Sequence, residues 1–154
     1  MALVDLTMVN DRRAHSAKMI QTAAKEAHML KVEKDAKAGY LELTVDGVVH
    51  KDEYQQAVDA VDELLKTHEQ INVVEVVRDI GWVDAQVWWK DLLFHLSHRN
   101  FVHRAAVVSD NGWIGPMTRM FAPFYPAAIR TFGLDQLEYA RTWAKVGDLH
   151  RAAD

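Results

Sequence analysis

Apolar and polar positions alternate strictly over Tyr40-Leu41-Glu42-Leu43-Thr44-Val45, with Leu41, Leu43 and Val45 on one side. That is the period-two pattern of a half-buried strand. Upstream, Leu30 and Val32 alternate with polar neighbours, and Asp35-Ala36-Lys37-Ala38-Gly39 supplies a turn. The two segments predict an antiparallel hairpin, which Asp46-Gly47 ends. The period then changes. Tyr54, Ala57, Val58, Val61, Leu64 and Leu65 recur at helical spacing, which predicts a helix over about residues 51–67 with acidic residues in its first turn.

Ile71-Asn72-Val73-Val74-Glu75-Val76-Val77 is short, β-branched and nearly continuous in apolar character, as a strand covered on both faces should be. A second helix is expected over about 83–98, and Val102 to Val108 reads as another buried strand, ended by Ser109-Asp110-Asn111-Gly112. A third helix near 113–121, a strand near 127–132 and a last helix over 134–146 complete the series. Strands alternating with helices in this way predict β-α-β crossovers. The fold class expected is α/β: a single-domain β-α superhelix around a mixed, largely parallel central sheet of about five strands flanked by helices. Residues 1–27 stand apart as an N-terminal helical extension. Asn10 and Asp11 begin a marginal helix there, whose apolar residues are mostly small. The domain proper is expected over 28–148, with a short tail at 149–154.

Composition narrows the function classes. The chain has 154 residues, 49% hydrophobic and 26% charged, which suits one globular domain. Its net charge is −4 with no dense Lys/Arg run, so no nucleic-acid partner is expected. There is no cysteine, which excludes disulfides, thiol nucleophiles and thiolate-held clusters and fits a cytoplasmic location. No signal peptide and no transmembrane segment is legible.

No catalytic constellation is legible either. The only serines are Ser16, Ser97 and Ser109, none in a nucleophile elbow, and no glycine-rich phosphate loop follows a strand. Asp110-Asn111-Gly112 reads as turn chemistry at a helix start, although a small anion has room in principle at such a place. His95 and His98 lie one helical turn apart, and His103 falls in the next strand. Without an acidic ligand at matching spacing they predict no metal site. No cofactor is expected.

Several segments, taken in order, resemble the SpoIIAA-like family. They are Trp88-Trp89-Lys90-Asp91-Leu92-Leu93-Phe94 with His98-Arg99, then Arg104-Ala105-Ala106-Val107-Val108, Asn111-Gly112-Trp113 and Ala122-Pro123-Phe124. Phe132-Gly133-Leu134-Asp135 and Ala140-Arg141-Thr142-Trp143 complete the set. The similarity covers about residues 28–146. It implies a fold like that of STAS domains and the SEC14 lipid-transfer proteins, and by itself no function. STAS antagonists carry a phosphorylatable hydroxyl after the third strand, whereas this chain has Arg78-Asp79-Ile80-Gly81-Trp82-Val83-Asp84. A phosphorylation switch at that place is therefore not expected, and Asp79 and Asp84 read as helix-capping charges.

Two surfaces remain as candidates. On the second helix Ala85, Trp88, Trp89, Leu92, Leu93 and Leu96 share one arc, while Val83, Val87 and Phe94 form a second stripe opposite. A monomer does not need that stripe, so it predicts an interface, with a homodimer about a two-fold axis as the expected assembly. Further on, Trp113, Met117, Met120, Phe121, Phe124 and Tyr125 mix methionine with aromatics. Such a surface suits a flexible partner or an apolar small molecule, and the same spacing equally suits a core face. The function expected is a non-enzymatic binding or regulatory module acting through protein–protein contact or self-association. The alternative is a carrier or sensor of a small amphipathic, lipid-like ligand.

Overall fold

The chain was analysed as a computed structural model that describes residues 12–19, 29–79 and 100–148. A helix over 12–19 (α1) is exposed along its whole length. The hairpin predicted from the alternating segments is formed by β1 (Leu30–Asp35) and β2 (Tyr40–Asp46), paired antiparallel from Leu30 opposite Val45 to Asp35 opposite Tyr40. Gly39 closes its turn at φ +59°, a left-handed conformation that side chains with a Cβ rarely adopt.

The helix α2 (Lys51–Leu65) carries the chain from β2 to β3 (Ile71–Asp79), which lies parallel to β2. Next come β4 (Val102–Val108), α3 (Ile114–Phe121), β5 (Ala128–Phe132) and α4 (Leu137–Val146). The five strands lie in sequence order, with only the β1–β2 pair antiparallel. This is the mixed, largely parallel sheet that the alternation of periods predicted.

Each sheet face has its own core, and β3 contributes to both. Leu41, Leu43, Val45, Ile71, Val73 and Val77 pack with Ala57, Ala60 and Leu64 of α2. On the other side Tyr40, Val74, Val76, Ala106 and Val108 pack with Ala140, Trp143 and Ala144 of α4. The near-continuous apolar run of β3 follows from that double burial. Amide exchange is expected to be slowest across Val73–Val77 and their β4 partners, because central strands exchange only through large openings. Exchange there as fast as in the 35–39 turn would contradict the two-core arrangement.

One buried carboxylate ties the first helix of the sheet-bound body to the hairpin. Glu53 is 5% exposed, and its oxygens accept hydrogen bonds from the backbone N–H groups of Met29 (2.8 Å), Leu30 (3.2 Å) and His50 (3.0 Å). The expected helix over 134–146 opens as a 3₁₀ turn, Leu134–Gln136, and becomes α-helical at Leu137. That turn is tightened by two side chains. Gln136 accepts from Gly133 N–H at 3.1 Å, and Asp110 accepts from Leu134 N–H at 2.8 Å.

Candidate functional site

The loops that leave β4 and β5 meet at the carboxyl ends of these parallel strands, where open α/β sheets form crevices. Ser109 fixes the first loop. Its hydroxyl donates to the Val77 carbonyl at 2.8 Å and accepts the Asn111 N–H at 3.2 Å. Asp110 reaches across to Leu134 N–H, so the two loops are stitched together. A Cβ at position 133 would stand 2.5 Å from an Asp135 oxygen and 3.4 Å from an Asp110 oxygen, which explains the glycine there.

Between the loops and the start of α3 lies an open cleft of about 360 Å³, lined among others by Ser109, Asn111, Gly112, Arg119, Thr131 and Gln136. The Nδ2 of Asn111 is buried without a hydrogen-bond partner. The lining is mostly polar, and the Ser109 hydroxyl and one Asp110 oxygen are already bonded to backbone.

The residues expected to bind a ligand fall beside this cleft. Trp113 is half-buried and packs against the α2-side core, and Ile114 next to it is fully buried. Met117 and Tyr125 are half-buried, whereas Met120 is 62% exposed. Phe121 ends α3, and Phe124 ends the 3₁₀ turn Ala122–Phe124. None of Trp113, Met117, Met120 and Tyr125 lines the cleft. Helical spacing alone does not distinguish a core-facing position from one that faces out at a helix end. The expected interface residues Val83, Val87 and Phe94 lie outside the described residues, as do Asp84, His95 and His98. His103 is exposed on β4, and Asp79 is exposed at the end of β3. Among the described residues no group of three or more His, Asp or Glu is placed to hold a metal ion.

A second polar centre was not foreseen. Glu42, on β2, is 4% exposed and faces α4. Arg141 grips it with two nitrogens, Nε at 2.8 Å and Nη2 at 2.6 Å, and the Tyr40 hydroxyl donates to it at 2.6 Å. Arg141 also pairs with Glu138 one turn away, and the Lys145 ammonium lies 4.6 Å from the Tyr40 ring centre. Burial pushes the Glu42 carboxyl up, but the hydrogen bonds from Arg141 and Tyr40 and the Arg141 charge outweigh it and hold the group below the usual carboxylate range. Burial, reinforced by the Glu42 hydrogen bond, pushes the Tyr40 phenol well up. The Glu42 hydrogen bond likewise raises Arg141. Glu42 is thus a fixed anion that clamps α4 to the sheet.

Helices long and apolar enough to cross a membrane are absent among the described residues. A family model described as SpoIIAA-like matches residues 40–145. No curated protein matches. The chain is similar to the crystal structure of an uncharacterized protein of the DUF3478 family with a SpoIIAA-like fold from Shewanella loihica PV-4. Identity is 19%, the TM-score 0.52, and the match covers 75% of this chain and 91% of that one. It is also similar to a chain in the crystal structure of the diguanylate cyclase SiaD in complex with its activator SiaC from Pseudomonas aeruginosa. There identity is 16% and the TM-score 0.47, over 69% of this chain and 93% of that one.

Proposed function

We propose, from the premise that this chain belongs to the SpoIIAA-like family, that it is a non-enzymatic binding or regulatory module acting through protein contact, its own copy included. One observation carries the reading. The acids and the serine of the two polar centres and the cleft are already bonded into the fold, with the Nδ2 of Asn111 the exception, while large apolar side chains are left outside. Glu53, Glu42, Ser109 and Asp110 each hold a backbone or side-chain partner. Met120, Tyr139 and Val146 are each close to half exposed or more. Tyr139 and Val146 stand two turns apart on α4 and so share one face of that helix, and exposed apolar side chains placed in that way mark a contact surface. From sequence, Val83, Val87 and Phe94 are a further proposed contact stripe, and the lack of cysteine fits work in the cytoplasm.

The runner-up is a carrier of a small amphipathic molecule. In its favour, the cleft volume falls within the usual range of roughly 300–1,000 Å³ for ligand sites. Against it, the cleft is open and polar, which suits a polar group better than an apolar tail. Native mass spectrometry of the freshly purified full chain tests the two readings together. Masses of the bare chain or of its whole multiples, without any adduct, are expected. A stoichiometric amphipathic adduct that survives buffer exchange would overturn the module reading in favour of the carrier.

A further inference from the structure

In the cleft beyond β4 and β5 the side-chain acceptors are largely spent on the fold, while donors are left over. The Ser109 hydroxyl oxygen takes the Asn111 N–H, one Asp110 oxygen takes the Leu134 N–H, and the Gln136 carbonyl oxygen takes the Gly133 N–H. That last bond fixes the Gln136 amide and leaves its NH2 open. Asn111 adds an Nδ2 that is buried with no hydrogen-bond partner. A buried donor left unpaired is costly and calls for an acceptor. Asp110 is the one acid that lines the cleft, and it is exposed.

The first turn of α3 adds to the donors. It carries no acid and no capping side chain, and the N–H groups of Gly112 and Gly115 make no hydrogen bond among the described residues. Arg119 stands one turn beyond Gly115, and helical side chains lean toward the N-terminus. Its Nη1 comes within 3.9 Å of the point where a Cβ on Gly115 would stand. The guanidinium therefore lies back over the open turn, and it forms no ion pair with any described residue. A charged fork, two side-chain amides and open backbone donors thus border one cleft of about 360 Å³. Val107, Ile114 and Phe132, all buried, give the same cleft an apolar wall.

We propose that this cleft binds a small organic phosphate, its phosphoryl group held by Arg119, the Asn111 Nδ2 and the open turn of α3. Donors in excess call for an acceptor-rich group, and an unpaired guanidinium calls for an anionic one. A phosphoryl group offers three oxygens to donors that converge from a helix start, an amide and a guanidinium, where a carboxylate offers two. The volume exceeds that of a bare phosphate ion, and the apolar wall suits a carbon skeleton attached to it. The inference goes beyond the module reading, which names no ligand, and neither rests on the other. An open cleft exchanges its ligand quickly, so no adduct is expected to survive buffer exchange.

Amide NMR of the isotope-labelled full chain, titrated separately with phenyl phosphate, inorganic phosphate and phenol, decides it. Phenyl phosphate is expected to give saturable shifts at the Gly112 and Gly115 amides and at the Asn111 side-chain NH2. Inorganic phosphate should bind the same place more weakly, and phenol not at all. Arg119→Gln removes the charge at an exposed position and is expected to weaken binding about tenfold or more, as the loss of a charged hydrogen bond does. Gly112→Asp has open space for its side chain and sets a tethered carboxylate at the turn, so it is expected to block the site. Circular dichroism checks that both variants fold. No saturable shift in wild type, an unchanged affinity in Arg119→Gln, or phenol bound as tightly as phenyl phosphate would overturn the proposal.

Discussion

Replacing Arg141 by Met is expected to lower the unfolding free energy by about 3 kcal/mol at neutral pH, as for other buried pairs that lose one partner. The reason is what remains behind. Glu42 is 4% exposed, and without Arg141 its anion keeps, among the described residues, the Tyr40 hydroxyl as its one hydrogen-bond donor and the more distant Lys31 charge. The double variant Glu42→Leu/Arg141→Met removes both charges and is expected to recover most of the loss.

The pH dependence should reverse between wild type and Arg141→Met. In wild type the folded-state pKa of Glu42 lies below its ordinary value of 4.5, so its stabilisation is present above that value and lost as pH falls through the folded pKa. In Arg141→Met the same carboxyl is buried without its cation, and its folded pKa rises above the unfolded one. Protonation then favours the folded state, and the variant should gain stability as pH falls from 7 toward 5. Urea unfolding of both proteins at several pH values measures this. A variant that loses stability with acid in parallel with wild type would show that Glu42 has found another cation.

Glu53→Ala is expected to cost roughly 2–3 kcal/mol in the same experiment. It strips the acceptor from three backbone N–H groups, at Met29, Leu30 and His50, around a residue only 5% exposed. Glu53→Gln keeps a single acceptor oxygen and presents an amide to the other donors. An intermediate loss, about half that of the alanine variant, is therefore expected. Equal losses for Gln and Ala would mean that charge, and not the number of acceptors, holds this junction.

Much of the fold was legible because burial writes its period into the chain. Strict alternation from Tyr40 to Val45 foretold a strand covered on one face, whereas β2 is second in the sheet and buried on both faces. The run from Val73 to Val77, interrupted only by Glu75, foretold a central strand. The polar centres were not legible, and for a physical reason. Alternation puts Glu42 on the polar side of its strand, which normally faces water. Only α4, folding back over that side with Arg141, makes the position a buried one. Glu53 likewise reads as an ordinary first-turn acid favoured by the helix dipole. Nothing local shows that its oxygens serve the start of β1 as well. The Met and aromatic residues from Trp113 to Tyr125 share a helical spacing whichever way they face. The structure buries Ile114 and exposes Met120 within the same eight-residue helix.

Glu53 and Glu42, two of the three buried carboxylates among the described residues, also differ in when they can act. Glu53 joins positions 24 and 23 residues apart at Met29 and Leu30, whereas Glu42 and Arg141 are 99 residues apart. Loop-closure entropy grows slowly with length, by about 0.6 kcal/mol per doubling, so the longer closure costs about 1.2 kcal/mol more. The hairpin and α2 can therefore assemble as a local unit while α4 is still free. The Arg141 clamp closes only after the intervening strands are laid down. Its contribution then falls on the far side of the folding barrier, where it slows unfolding without hastening folding. Glu53→Ala is therefore expected to slow folding and Arg141→Met chiefly to speed unfolding, which stopped-flow kinetics over a urea series measures.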